Sequence, residues 1–309
     1  MCRTKIFMAP LQGFTDAVMR HFHKVVYGGV DEYFTPFVRM EHGAVRARDL
    51  REVTSPLNEN HSPTPQIIVR DGMELEILTE RLVKEGYRRV DINMGCPFVP
   101  QVRKGRGAGV LHNVEGMHDI AARMEKWAEV NFSIKMRLGI DRADEWRRVL
   151  PIINAMPVEH VAVHPRTAVE QYAGELHMNE FERFMGECHR RVVFNGEINE
   201  MRDIEEIVAR FDGIYGVMIG RGLLRRPSLA AEWASQSEWN RAERVEHLLD
   251  LHERLLQYAE THLCGEHQVL GKLLPYWEYF GNEFAKKGVK RVLKAKTMDK
   301  YKQAVELLE

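Results

Sequence analysis

Cysteine is scarce, and its few occurrences are scattered. The 309-residue chain has Cys2, Cys96, Cys188 and Cys264, with no CxxC pair and no Cys/His spacing of a metal site. That excludes a disulfide scaffold and a zinc module, and leads us to expect reduced thiols in a cytoplasmic protein without metal. Long apolar runs are also missing. No run of about 18 apolar residues occurs, and the opening MCRTKIFMAPLQGF lacks the apolar core of an export signal, so neither membrane spanning nor secretion is expected. Repeats and low-complexity tracts are absent as well, which argues against a solenoid or a disordered array. Neither sign of charge dominates, since 44 Lys and Arg face 45 Asp and Glu. An electropositive surface must therefore come from placement.

One such place exists. The stretch AKKGVKRVLKAKTMDKYK carries Lys286, Lys287, Lys290, Arg291, Lys294, Lys296, Lys300 and Lys302 against Asp299 alone. On a helix, Lys287, Arg291 and Lys294 fall at i, i+4 and i+7 and share one face. A solvated helical face is the alternative reading of this ridge.

Hydrophobic residues make up 44% of the chain, enough for a large core, and their order shows how it is built. Short β-type runs occur at KIFMAPL, EYFTPFV, QIIV, RVDINM, FSIKMRL, HVAVHP, RVVFNGEI and YGVMIGRG, most followed by a helical pattern such as MELEILTERLVKEG. Eight strands with helical crossovers predict an α/β fold, a (β/α)8 TIM barrel over residues 1–234. Beyond that point the β signal stops, and RAERVEHLLDLHERLLQYAETH and later segments predict a small all-helical domain over 235–309.

The expected strands end in polar residues. Asn93 closes the fourth, Lys135 lies in the fifth, His164 closes the sixth, Asn195 closes the seventh, and Gly220 and Arg221 follow the eighth. C-terminal strand ends form the active-site face of such barrels, so the combination suggests an enzyme. Alternation in VAVH sets Val161 and Val163 on one face and Ala162 and His164 on the other, so His164 can face the barrel mouth, and Lys135 likewise. A single inward Lys or His can equally be a satisfied core group. The loops FNGEI and IGRG fall where barrels bind phosphate, with Arg221 supplying charge, or are simply tight turns. KGRGAGV does not join a strand directly to a helix, so it reads as a flexible substrate-side loop bearing Arg103, Lys104 and Arg106, not a dinucleotide fingerprint.

In VDINMGCPFVP an apolar run reaches Asp91 and Asn93 and then breaks at Gly95, Cys96 and Pro97. Gly95 permits close backbone approach, and Pro97 biases Cys96 toward an extended conformation above the mouth. An ordinary thiol titrates at about 8.5, so near neutrality it can donate a proton. Nucleophilic and purely structural roles stay open at this point.

APLQGFTD, DINMGCP, GRGAGVL, IKMRLG, HPRT, NGEI and MIGRG, in this order, resemble the tRNA-dihydrouridine synthase family over nearly the whole chain. The resemblance implies noncovalent FMN, NADPH as reductant, a barrel with a helical tRNA-binding domain, and reduction of particular tRNA uridines to 5,6-dihydrouridine. It implies Cys96 as proton donor to C5 and Asn93 beside the uracil. Pro10, Leu11, Gln66, Lys135 and His164 would surround the flavin, and Asn195, Gly196, Glu197, Gly220 and Arg221 would hold its ribityl phosphate end. Arg166, Lys287, Arg291 and Lys294 are the further substrate contacts, and a monomer is entertained. Leu11 stands where Met is usual, Pro165 where HGRT has glycine, and IIVRD where a glycine commonly follows Gln66, which suggests a divergent member. Two other functions remain: a flavin-dependent oxidoreductase of a free pyrimidine or other small molecule, and a non-catalytic tRNA-binding protein.

Overall fold

The computed structural model describes residues 4–308. Cys2 lies outside the described residues, and Cys96, Cys188 and Cys264 are free thiols.

The strands are β1 (Lys5–Met8), β2 (Glu32–Tyr33), β3 (Met40–Glu41), β4 (Ala44–Val45), β5 (Gln66–Ile67), β6 (Arg89–Met94), β7 (Asn131–Gly139), β8 (Val158–Thr167), β9 (Arg191–Phe194) and β10 (Gly216–Ile219). Eight of them form one sheet in the order β2-β1-β10-β9-β8-β7-β6-β5, while β3 and β4 pair separately as a short hairpin. Every pairing within the large sheet is parallel. Parallel bridges Phe34 to Thr64 and Val38 to Ile67 join the segment after β2 to the β5 side and complete the circuit. The expected eight-stranded barrel is therefore present. Its second strand is short because Pro36 has no N–H to give to a ladder. The hairpin, and the helix Ala47–Val53 after it, had no distinct periodic signal.

Alternation divides the side chains. Val90, Ile92, Met94, Ile134, Met136, Val161 and Val163 point outward and form, with the crossover helices, the larger apolar cluster. Phe7, Ala9, Phe34, Ala162, Val193 and Met218 point inward and fill the barrel. The inward positions left at the strand ends are polar, and those are the ones that matter below. Each fully buried Leu or Phe of the outer layer contributes roughly 1.5–3 kcal/mol relative to exposure. The helix Gly72–Lys84 is started by the Asp71 side chain, which accepts from the Glu74 N–H, a cap of about 1 kcal/mol.

After Ser235 the chain is helical. Helices Arg241–His262, Gly265–Leu273, Lys286–Leu293 and Met298–Glu306 enclose an apolar cluster that also takes in Met19 and Leu224 from the barrel side. Asn240 and Glu243 form a reciprocal capping box at the start of the long helix. In the middle, Tyr301 Oη accepts from Trp277 Nε1 at 2.7 Å and pairs with His252 Nε2 at 2.8 Å, so these three buried polar groups satisfy one another. Its inner side meets the barrel through a Lys272–Asp16 ion pair and the Tyr276 hydroxyl, which donates to the Phe14 carbonyl at 2.7 Å.

Candidate active site

The strand ends open into one cavity of about 950 Å³, at the upper end of the range for small-ligand sites. Pro10, Leu11, Gln66, Asn93, Cys96, Lys135, His164, Asn195, Gly196, Glu197, Gly220 and Arg221 all line it. Residues far apart in sequence meet here because neighbouring parallel strands run in register, Asn93 opposite Lys135 and Arg137 opposite His164.

The Gly95–Cys96 turn is held from three sides. Asn93 Oδ1 accepts from the backbone N–H groups of Gly95 and Cys96, at 3.1 and 2.8 Å. Arg137 Nε donates to the Gly95 carbonyl at 3.1 Å, and its Nη1 to the Thr167 carbonyl at 2.8 Å. The Cys96 carbonyl accepts from the Ala108 N–H at 3.0 Å. That last bond requires glycine at 107, where φ is +58° and a Cβ would lie 2.8 Å from the Cys96 carbonyl oxygen.

GRGAG is thus a buttress and not the flexible basic loop expected. Arg106 is buried, donating from Nε to Glu74 Oε2 at 2.8 Å and from Nη1 to the Met40 carbonyl at 3.0 Å. Arg103 and Lys104 are exposed as expected. A buried arginine needs such a partner, since removing one member of a buried pair costs about 3–5 kcal/mol. The same contacts tie the β3–β4 hairpin to the thiol's loop.

Electrostatics sort the titratable groups. Burial pushes the Cys96 thiol above its ordinary value, outweighing the pull of Lys135 and Arg137, so near neutrality it carries its proton. Burial, then Arg137, holds Lys135 down to about 8. Among the described residues Lys135 has no hydrogen bond or ion pair. His164 is pushed to about 2 by burial and by Arg137, Lys135, Arg166 and Arg221, so it is a neutral imidazole, and its buried Nδ1 has no partner. The cavity presents cations and polar atoms that a bound anion would satisfy.

Arg166 is not on the wall. It is 2% exposed and donates from Nη2 to Glu197 Oε1 at 2.8 Å and from Nε to the Gly174 carbonyl at 3.1 Å. Glu197 stands between it and Arg221, 3.9 Å away, and so orients that cation. Pro165 lies in β8 where the ladder to β7 shifts register between Arg137 and Gly139, a place where a missing N–H is tolerated. Lys287, Arg291 and Lys294 are far along the chain on and just after Lys286–Leu293, exposed and without ion pairs among the described residues. Lys286 and Lys287 open that helix, an end where positive charge is unfavourable by roughly 0.3–1 kcal/mol.

Several lining residues were not singled out from sequence. Arg137 shares the inward face of Lys135, so alternation could have found it. Tyr172, whose ring packs against Arg221 at 4.5 Å and Arg137 at 5.7 Å, and Tyr279 of the helical part carry no periodic signal. Tyr172, Phe98 and Val99 are 50 to 58% exposed at the rim.

Comparison with known proteins agrees with this geometry. The family model described as dihydrouridine synthase (Dus) matches residues 7–306. The chain is 30% identical over 240 residues to a tRNA-dihydrouridine(16) synthase of Neisseria meningitidis serogroup B, covering 74% of this chain and 71% of that one. It is 28% identical over 236 residues to a probable tRNA-dihydrouridine synthase of Staphylococcus aureus strain COL, covering 73% and 70%. Morphinone reductase superposes with a TM-score of 0.53 at 9% identity, over 76% of this chain and 87% of its own. The old yellow enzyme of Trypanosoma cruzi gives 0.53 at 8%, over 76% and 89%; both show the barrel fold alone. The family match spans the strand ends, the thiol turn and the terminal helices together, and the chain belongs to the dihydrouridine synthase family.

Proposed function

We propose that this protein reduces particular tRNA uridines to 5,6-dihydrouridine, with FMN held noncovalently in the barrel-mouth cavity and NADPH as reductant. The observation that carries the proposal is the Cys96 thiol lining a cavity whose inner wall offers Lys135, unpaired among the described residues, and the orphaned His164 Nδ1. Those groups fit a flavin: Lys135 suits an electron-rich edge, and Arg221, oriented by Glu197, suits a phosphate. FMN, when bound, supplies hydride to C6 of the uracil. The residues do the rest. Cys96 Sγ gives a proton to C5 of the base, and burial keeps that proton on the sulfur near neutrality until it is needed. Asn93 and Arg137 fix the turn that carries the sulfur, and Tyr172 and Phe98 give the extruded base apolar surface at the rim. The Lys287, Arg291 and Lys294 face holds tRNA phosphates and offsets the few kcal/mol that extrusion costs.

The test is to purify the protein, record its spectrum near 450 nm, and assay dihydrouridine in tRNA after incubation with NADPH. The expected result is bound flavin and dihydrouridine formed in tRNA but not from free uracil. Colourless protein that takes up no added FMN rejects the reading. Turnover of free uracil at the tRNA rate replaces it with the small-molecule oxidoreductase.

A further inference from the structure

We propose that Asp91, which does not line the cavity, is a positioning residue that fixes the direction of a buried chain of side-chain amides and so holds the Gly95–Cys96 turn in its working position. The role given to Cys96 rests on the function proposed above; the hydrogen-bond chain does not. Asp91 is fully buried. Its Oδ1 accepts from Ser133 Oγ at 2.6 Å and its Oδ2 from Gln66 Nε2 at 2.7 Å. Gln66 Oε1 accepts from Asn93 Nδ2 at 2.8 Å. Asn93 Oδ1 then accepts the two turn N–H groups at 3.1 and 2.8 Å.

A side-chain amide can exchange its oxygen and NH2 by a half turn with almost no change of shape, so its direction is set by its neighbours. Here both ends of the chain demand the same direction. The carboxylate at one end only accepts, and the backbone N–H groups at the other only donate. Reversal of Gln66 would face its oxygen to the carboxylate and its NH2 to the Asn93 NH2. Reversal of Asn93 would face its NH2 to two N–H donors. Both N–H groups of the turn before Pro97 are given to Asn93 Oδ1. Asp91 also sits where its charge favours the protonated form of Lys135.

An amide at position 91 would remove this directionality, because it can donate or accept. The test uses flavin-loaded protein and the cycle of Asp91→Asn, Gln66→Glu and the double variant. In the double variant the new carboxamide can accept from Ser133 and donate to the new carboxylate, whose other oxygen accepts from Asn93. The original direction at Asn93 is restored with the charge moved by one residue. Two quantities are read: hydrogen exchange of the Gly95 and Cys96 amides, and the single-turnover rate of uridine reduction.

Asp91→Asn should exchange those two amides about tenfold faster and slow reduction by about tenfold or more, with flavin content kept. Gln66→Glu, which sets two carboxylates face to face, should do the same or worse. The double variant should recover protection of the two amides to within about threefold. Parental exchange and rate in Asp91→Asn would overturn the proposal. So would a double variant no better protected than the weaker single one, a comparison that stays decisive if Asp91→Asn does not fold. If the parent reduces no tRNA, the functional reading fails, while the exchange cycle still decides the role of Asp91.

Discussion

Replacing Gly107 by Ala separates the geometry of the thiol from the stability of the loop that carries it. Gly107 has φ +58°, and an added Cβ would lie 2.8 Å from the Cys96 carbonyl oxygen and 3.0 Å from Cys96 Cβ. Both are backbone or near-backbone atoms, so the turn must move by a few tenths of an ångström, losing alignment of the Ala108 N–H bond. The left-handed φ adds about 1–2 kcal/mol for a residue with Cβ. Gly105 is the internal control. It also has a positive φ, +72°, but its Cβ would meet only Arg70 Cβ, at 3.7 Å. Both variants should therefore lose about 1–2 kcal/mol of stability from φ alone, and Gly107→Ala about 1 kcal/mol more from the weakened hydrogen bond. Displacement of a reacting group by a fraction of an ångström to an ångström slows chemistry by about 10- to 100-fold. Single-turnover reduction of tRNA by the pre-reduced protein, beside urea unfolding, measures the two effects. Gly105→Ala should react at close to the parental rate, whereas Gly107→Ala should be slow with flavin content intact. Equal rates in the two variants would refute the claim that this loop sets the position of Cys96.

Cys96→Ala should leave reduction of bound flavin by NADPH nearly unchanged and slow uridine reduction by about 100-fold or more, and parental tRNA reduction would leave the thiol a structural role. A Lys135 held at about 8 and drawn upward by an anionic ligand takes up a proton on binding above pH 8. FMN affinity of flavin-stripped protein should then fall as pH rises from about 8, by at most about tenfold per pH unit. In Lys135→Met that slope should vanish, as titration of the flavin absorbance would show. Lys287→Ala/Arg291→Ala/Lys294→Ala should weaken tRNA binding and reduce the log–log salt slope by roughly 2–3, with flavin content unchanged; an unchanged slope would return that face to plain solvation.

Most of the barrel was legible because a parallel strand leaves a strong local signature: outward apolar residues at every second position and polar ones at its C-terminal end. The same alternation placed Lys135 and His164 inward. It did not identify Arg137, which obeys the same rule, because an arginine inside a barrel is unusual until its carbonyl partners are known. The GRGAG loop departs from the sequence expectation for a physical reason. Its arginine is neutralised by Glu74, more than thirty residues earlier on a helix, and nothing local announces that partner. Arg166 is buried in the same way, its acceptors, Gly174 and Glu197, lying on two later loops. Charged side chains are read as exposed by default, and the default fails where a distant partner has been folded beside them.

The sharing of Met19 between the barrel's first helix and the terminal helices constrains how this chain can be made. The helix Ala17–Val26 is synthesised more than 200 residues ahead of the terminal helices, yet Val18, Phe22 and Val26 pack against the cluster built largely from residues beyond 240. Until those residues leave the ribosome, the nascent barrel carries an unsheltered greasy stripe, a stage at which non-native association competes with folding. Closure across more than 200 residues of chain is a late, slow event. Cutting the chain after Ser235 would therefore not give a trimmed barrel lacking only its RNA contacts. It would freeze that sticky intermediate, and poor solubility of such a fragment would report on biogenesis and say nothing about substrate.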